Sequence, residues 1–198
     1  DVTAQSRFVP ALYSQRYEYY LAVGSRIAAH LESAQTILDV GCGIGLLTTF
    51  YAQRCPGATV VGIGRSPASI TLARQRAQAL GLSNLRFECL DLDQHELSGR
   101  YDLIVATHTL LQAEQDPGLP SSDWQDFSRA LEARAQLDLE QRTGVGRRLD
   151  RLRNVLAENG RMILFEKTRQ LARRVPFQRA LAARGLMPLR SPEPIRYR

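Results

Sequence analysis

The sequence has few cysteines and no apolar run long enough to span a membrane. Its three cysteines, Cys42, Cys55 and Cys89, are an odd set at wide spacing, which indicates neither a disulfide framework nor a zinc site. We therefore expect no metal ion and a reducing, cytoplasmic location. No uncharged apolar segment reaches the roughly 20 residues of a membrane-spanning helix, so no membrane partner is expected either.

Lysine is almost absent, because Lys167 is the only lysine among 26 basic residues. Residues 1–127 carry 9 Arg and 13 Asp and Glu, whereas residues 128–198 carry 17 Arg and Lys and 7 Asp and Glu. A basic C-terminal half favours acidic partners, nucleic acid among them. Arginines on solvated helix faces explain the same excess, so nucleic acid ranks below a small-molecule partner.

The length and composition predict one ordinary globular domain over residues 1–198. The chain is long enough for one well-cored domain and short for two, and 44% of its residues are hydrophobic and 23% charged. Strand-like and helix-like segments alternate along it. That alternation predicts an α/β fold, with a mostly parallel sheet and helices on both faces.

The predicted elements follow from hydrophobic runs, glycines and prolines. We expect strands at 36–40, 59–63, 85–89, 101–106 and 161–165, and a short one at 186–190. We expect helices at about 11–33, 46–54, 67–80, 123–140, 147–158 and 171–184. The stretch 112–159 is longer than a crossover requires, which predicts a helical insertion that covers the substrate side. A structural or dimerising hairpin is the alternative.

The first strand of the sheet stops at three closely spaced glycines. The segment reads Asp39-Val40-Gly41-Cys42-Gly43-Ile44-Gly45. Glycine lets the backbone turn tightly and approach a ligand, and the helix from Leu46 offers free N–H groups at that turn. The pattern favours a nucleotide-like cofactor.

These seven residues match in full the D-x-G-x-G-x-G motif of class I S-adenosylmethionine (SAM) dependent methyltransferases, which the chain resembles from about residue 37 to 166. The resemblance implies a Rossmann-like fold with SAM as cofactor. It also implies that Asp39 supports the loop and the SAM ammonium, and that Asp91 accepts a hydrogen bond from the adenine amino group beside Leu92. A capping role is the alternative for Asp91. The methionine end would lie against the turn residues Gly41, Cys42, Gly43 and Gly45.

The second strand departs from the family pattern at its end. The family usually places Asp or Glu there to bind both ribose hydroxyls, whereas this chain has Gly64 followed by Arg65. Each lost charge-assisted hydrogen bond weakens binding by about 1.5–3 kcal/mol. Three alternatives stay open: a modified ribose contact in which Ser66 or water substitutes, a changed residue, or a degenerate domain. NADP is disfavoured, because Leu46 stands where its fingerprint needs Gly or Ala.

Thr107 and His108 follow the fourth strand, beside the methyl position that the resemblance implies. His108 is the candidate catalytic base or orienting group, and Glu166 and Arg169 are weaker acceptor-site candidates. No Asn-Pro-Pro-Tyr, Asp-Pro-Pro-Tyr or Pro-Cys motif occurs there. The segment therefore favours SAM-dependent methylation of a small-molecule oxygen or nitrogen acceptor.

Two other functions also fit the sequence, and the N-terminal helix carries an aromatic stripe. A non-catalytic methyltransferase-like binding domain fits Gly64. An RNA methyltransferase fits the basic half, with a phosphate-binding surface at Arg147, Arg148, Arg151 and Arg153. Tyr13, Tyr17 and Tyr20 share one helical face, which predicts either core packing or contact with the cofactor or substrate. The oligomeric state stays open.

Overall fold

The computed structural model describes residues 17–111, 133–166, 168 and 171–195. Helices and strands alternate in this part of the chain. The helices are α1 (Tyr17–Ala28), α2 (Leu46–Arg54), α3 (Pro67–Ala79), α4 (Ala133–Thr143), α5 (Val145–Val155) and α6 (Leu171–Ala182). The strands are β1 (Thr36–Val40), β2 (Thr59–Gly64), β3 (Leu85–Cys89), β4 (Tyr101–Thr107) and β5 (Leu156–Phe165).

The strands form one sheet in the order β3-β2-β1-β4-β5. Every neighbouring pair is parallel, which confirms the predicted Rossmann-like α/β fold. The order reverses between β1 and β4, because β2 and β3 lie on one side of β1 whereas β4 and β5 lie on the other. Ligands bind at such a reversal, beyond the carboxyl ends of the strands.

Both faces of the sheet are buried, as the apolar strand sequences require. On one face, Ile37, Val60 and Leu103 pack with helices α1 and α2. On the opposite face, Leu38, Ile104 and Ala106 pack with α5 and α6. Burying each aliphatic side chain of this kind contributes about 1.5–3 kcal/mol, so the apolar strands hold the helical layers in place.

Helix α5 is the crossover helix that precedes β5. Its N-cap is Gly144 in the left-handed conformation, and one side of the helix is buried, including Val145, Leu149 and Leu152. These side chains pack on the sheet face that α6 also covers. This part of the predicted insertion therefore belongs to a helical layer of the fold. Residues 112–132 lie outside the described residues, so a cover over the site stays a prediction.

Three predicted boundaries are wrong. Helix α1 ends at Ala28 and not at about residue 33, β5 begins at Leu156 and not at residue 161, and α5 accordingly ends at Val155 and not at residue 158. The reason for the second difference is a bulge: Tyr101 pairs with Leu156, whereas Leu103 pairs with Arg161. A Cβ on Gly160 would lie 2.9 Å from the Tyr101 carbonyl oxygen, so glycine there reflects close approach of two strands.

The short strand expected at 186–190 does not form. In the described part of the chain no strand pairs with these residues, and Leu189 is 81% exposed. An apolar run without a neighbouring strand gains neither ladder hydrogen bonds nor burial. None of the described helices combines the length and apolarity that a membrane crossing needs.

Candidate functional site

The glycine turn after β1 uses a backbone conformation that other residues rarely adopt. Gly41, Gly43 and Gly45 have φ angles of 77°, 54° and 78°, all in the left-handed region. A Cβ on Gly41 would overlap Thr109 Oγ1, and one on Gly45 would lie 2.6 Å from Phe87 Cζ. Two of the glycines are therefore also required by packing.

Asp39 lies beneath this turn and is 2% exposed. Its Oδ2 accepts a hydrogen bond of 2.6 Å from Thr48 Oγ1 on α2. Burial raises the pKa of Asp39 to about 6, against the opposing effect of the Thr48 hydrogen bond. Keeping the Asp39 carboxylate charged in this buried position therefore costs free energy, and a nearby cation would reduce that cost.

This cost predicts the effect of Asp39→Asn on stability. Because the pKa of Asp39 in the folded protein lies above its ordinary value of 3.8, this side chain stabilises the fold only at low pH, and that contribution is lost as pH rises through 6. Without ligand, the unfolding free energy of the asparagine variant relative to that of the wild type should therefore rise by about 2–3 kcal/mol between pH 4 and pH 8. Urea unfolding at both pH values checks this. A difference between the two proteins that is the same at pH 4 and pH 8, or that falls as pH rises, would contradict it.

A cavity of about 370 Å³ opens at the carboxyl ends of β1, β2 and β4. Most of the predicted site residues line it, namely Gly41, Gly64, Arg65, Asp91, Leu92, Thr107 and His108. Asp39, Cys42, Gly43 and Gly45 do not line it and instead shape the turn at its edge. The remaining wall is formed by Val40, Ile63, Leu90, Thr109, Leu111 and Arg148.

Gly64 borders the cavity without needing to be glycine. Its φ lies outside the left-handed region, and a Cβ would make ordinary contacts of 3.6 Å with Cys42 Sγ and Ile70 Cδ1. The nearby Ser66 hydroxyl accepts from the Ser69 N–H at 3.3 Å and caps α3. A side chain at position 64 therefore meets neither a backbone barrier nor a clash at its Cβ.

Asp91 has one oxygen in a local turn. Its Oδ1 accepts a hydrogen bond of 2.9 Å from the Asp93 N–H, and its carbonyl oxygen accepts from the N–H groups of Gln94 and His95. These bonds form a turn and not a helix N-cap, because none of the described residues between Asp91 and β4 forms a helix, and Asp91 also lines the cavity. Leu92 beside it is buried.

His108 is the one described residue other than glycine with a positive φ, 53°. This backbone costs about 1–3 kcal/mol and places His108 against the cavity. Its N–H donates to the Phe165 carbonyl oxygen at 2.7 Å. Its ring stacks on Tyr19, with centroids 5.4 Å apart and planes at 22°.

The contact with Tyr19 corrects the expected tyrosine stripe. Tyr17 is 65% exposed, whereas Tyr19 is buried. Tyr13 lies outside the described residues. Tyr20 packs against the core cluster, as the core-packing alternative predicts. The spacing therefore identified the right helix but misplaced Tyr17 and missed Tyr19.

Thr109 and Glu166 organise the loop after β4. Thr109 Oγ1 donates to the carbonyl oxygens of Val40 (3.0 Å) and Thr107 (3.1 Å), which joins the ends of β1 and β4. Glu166 accepts backbone hydrogen bonds within this loop and does not line the cavity; burial raises its pKa. Arg169 lies outside the described residues. Among the described atoms, Thr107 Oγ1 is buried without a hydrogen-bond partner.

Arg148 is the main wall residue that sequence reasoning placed elsewhere. Its side chain is 2% exposed, and its Nε and Nη2 donate to the two Asp93 carboxylate oxygens at 2.8 and 2.5 Å. This bonding lowers the pKa of Asp93. Arg151 pairs with Glu96 and donates to the Leu92 carbonyl oxygen. Arg148 and Arg151, half of the expected phosphate surface, therefore bind the chain itself.

A signal for Arg148 was present in the sequence. It lies three residues after Val145 and four before Leu152, within the apolar stripe of an amphipathic helix. Because a charged side chain is almost never fully buried unless it is paired, an arginine in such a stripe indicates an ion pair.

A family model described as a methyltransferase domain matches residues 31–176. The chain belongs to this methyltransferase family. The match covers more than half of the chain and confirms the resemblance to class I SAM-dependent methyltransferases.

Two curated methyltransferases match this chain over part of their length. The chain is 36% identical over 104 residues to malonyl-[acyl-carrier protein] O-methyltransferase of Acetivibrio thermocellus, a match that covers 48% of this chain and 36% of the relative. It is 34% identical over 77 residues to a probable (S)-tetrahydroprotoberberine N-methyltransferase of Papaver bracteatum, covering 39% and 22%. The chain thus spans about a third or less of these curated relatives.

A solved structure has the same fold over most of the chain. Magnesium protoporphyrin IX methyltransferase from Synechocystis, with bound SAM, superposes with a TM-score of 0.57 at 20% identity. The match covers 86% of this chain and 72% of that one.

Proposed function

We propose that the cavity binds SAM and that the protein transfers the methyl group to an oxygen or nitrogen atom of a small-molecule acceptor. The observation that carries this proposal is the turn of Gly41, Gly43 and Gly45, with three left-handed glycines beside a cavity at the sheet reversal. The relatives named above are an O- and an N-methyltransferase, which supports both acceptor classes. Calorimetric titration with SAM tests the proposal.

The residues present fit a SAM molecule in several ways. The cavity volume of about 370 Å³ falls in the range of roughly 300–1,000 Å³ that is usual for small-molecule sites. Asp39 supplies negative charge beneath the turn, where the methionine ammonium would lie. Asp91 retains a second carboxylate oxygen for the adenine amino group, and Thr107 brings an unsatisfied hydroxyl to the wall.

SAM supplies an electrophilic methyl group, so the protein's task is chiefly to bind and orient the acceptor. His108 lies at the cavity wall on a backbone held by Phe165 and a ring held by Tyr19. We assign it the removal of a proton from a hydroxyl or ammonium acceptor, or the orientation of that group. Leu90, Leu92 and Leu111 give the wall its apolar part.

Gly64 weakens the ribose contact in this proposal, and Gly64→Asp should tighten SAM binding about tenfold or more. A carboxylate there adds charge-assisted hydrogen bonds of about 1.5–3 kcal/mol, and the contacts of 3.6 Å around its Cβ leave room for it. Calorimetry of this variant beside Gly64→Ala checks the prediction, with the alanine variant expected near wild type. Unchanged affinity in a correctly folded aspartate variant would mean that another group already binds the ribose.

A further inference from the structure

The Leu110 peptide is held by charged groups on both sides. Its N–H donates to Glu166 Oε1 at 2.8 Å, and its carbonyl oxygen accepts from Arg148 Nη1 at 2.8 Å. Glu166 also accepts from the N–H groups of Thr109 at 3.0 Å and Leu111 at 3.3 Å. Three successive peptides after His108 are thus fixed by one carboxylate from the end of β5.

Arg148 continues this chain of hydrogen bonds to the other wall of the cavity. Its guanidinium binds both Asp93 oxygens, and the Asp93 N–H donates to Asp91 Oδ1. The segment from Asp91 to Asp93 includes Leu92, so it forms the wall proposed for adenine. A continuous path therefore joins Glu166, Leu110, Arg148, Asp93 and Asp91.

The burial and the charges of its members make this path of hydrogen bonds rigid. Arg148 and Leu110 are almost fully buried, and hydrogen bonds between charged groups are shorter and stronger than neutral ones. Breaking one member leaves an uncompensated charge in a low-dielectric interior. The Leu110 peptide cannot shift without breaking a bond at one of its two ends.

We propose that Arg148 and Glu166 are positioning residues that couple the wall carrying Asp91 to the wall carrying His108. The proposal rests on the proposed function, in which these walls face the cofactor and the acceptor. Binding of the cofactor against Asp91 then orders the acceptor end through Asp93, Arg148 and the Leu110 peptide. The same path transmits a change at Asp93 to His108, which Asp93 does not touch in any described contact.

The coupling can be measured without any ligand. The chain has three histidines, so the imidazole NMR signals of labelled protein are few, and His108→Asn identifies the one that belongs to His108. We expect Asp93→Asn and Arg148→Lys each to shift the His108 signal. Lysine keeps the charge of Arg148 but loses its two-pronged contact with the carboxylate.

The chain offers a control in another, partly buried ion pair of the same helical layer. Arg184 bonds to Glu140 and to Asp150 of α5, away from the cavity lining. Glu140→Gln should lower stability yet leave the His108 signal in place. A His108 signal that stays unmoved in both Asp93→Asn and Arg148→Lys, or that moves equally in Glu140→Gln, would overturn the proposal.

A double-mutant cycle tests the same coupling in the ligand-bound protein. Asp93→Asn and Glu166→Gln change the path on opposite sides of the Leu110 peptide, and the dissociation constant of SAM is measured for each variant and for the double variant. The effects of independent sites would multiply within about twofold, whereas coupling should produce a deviation of about threefold or more. Multiplicative effects would overturn the coupling while leaving SAM binding intact. Absence of binding to the wild type would instead refute the proposed function, and the NMR test would still decide the coupling.

Discussion

Replacing Gly43 with valine is expected to abolish SAM binding, raising the dissociation constant above about 1 mM. Gly43 has a φ of 54° in the turn at the cavity edge, a conformation that a β-branched residue adopts only with strain. The substitution also adds bulk where the backbone must approach the ligand. Calorimetric titration of the variant checks this.

Gly81→Val is the matched control for the backbone effect. Gly81 has a similar φ of 64°, and a Cβ there would meet nothing within 4 Å. Both variants should lose stability, and only Gly43→Val should lose binding. If Gly43→Val binds SAM as tightly as the wild type, the turn does not hold the cofactor. Gly41 is less suitable, because its Cβ would clash with Thr109 whether or not ligand is bound.

Replacing His108 with alanine is expected to lower turnover by about 10²- to 10⁴-fold while SAM affinity stays nearly unchanged. This split follows if His108 acts on the acceptor, since the loss then falls on kcat. The assay uses labelled SAM with hydroxylated aromatics and amines, beside bulk RNA. Label that appears only in RNA would overturn the small-molecule proposal.

The backbone of His108 calls for a second variant. Its φ of 53° is tolerated better by asparagine than by alanine, so His108→Asn keeps the loop while removing the imidazole. We expect His108→Asn to lose turnover as His108→Ala does, and His30→Ala, outside the cavity lining, to keep it. Equal loss of turnover and SAM affinity in His108→Asn would indicate a packing role.

The fold was largely predictable because its signals are local. The apolar runs and the glycine turn after β1 predicted the bounds of β1 to β4 to within one residue. The reversal of strand order between β1 and β4 then determines where the cavity opens. Gly64 and Asp91 were placed at the cofactor site by the resemblance to the methyltransferase family, and both line the cavity. A chain of alternating strands and helices has few ways to bury both faces of a parallel sheet.

The remaining features depend on contacts between distant segments. Arg148 binds Asp93, 55 residues earlier in the chain, and Tyr19 stacks on His108 from helix α1. The early start of β5 depends on a bulge against β4. No periodicity within a single segment encodes these pairings, so they emerged only from the three-dimensional arrangement.

The alternative functions now have different support. The RNA alternative loses part of its expected phosphate surface, because Arg148 and Arg151 are committed to Asp93 and Glu96. The non-catalytic alternative still depends on Gly64, whose position neither blocks a ligand nor supplies the usual carboxylate. Affinity for SAM therefore separates it from the enzyme proposed here.

The most direct test is calorimetric titration of the wild-type protein with SAM and with its demethylated product near neutral pH. The proposal predicts saturable binding of both at a single site, weakened by Gly43→Val and strengthened by Gly64→Asp. No heat with either ligand at concentrations of about 1 mM, where a site of that affinity would be half filled, would contradict it and favour the degenerate domain.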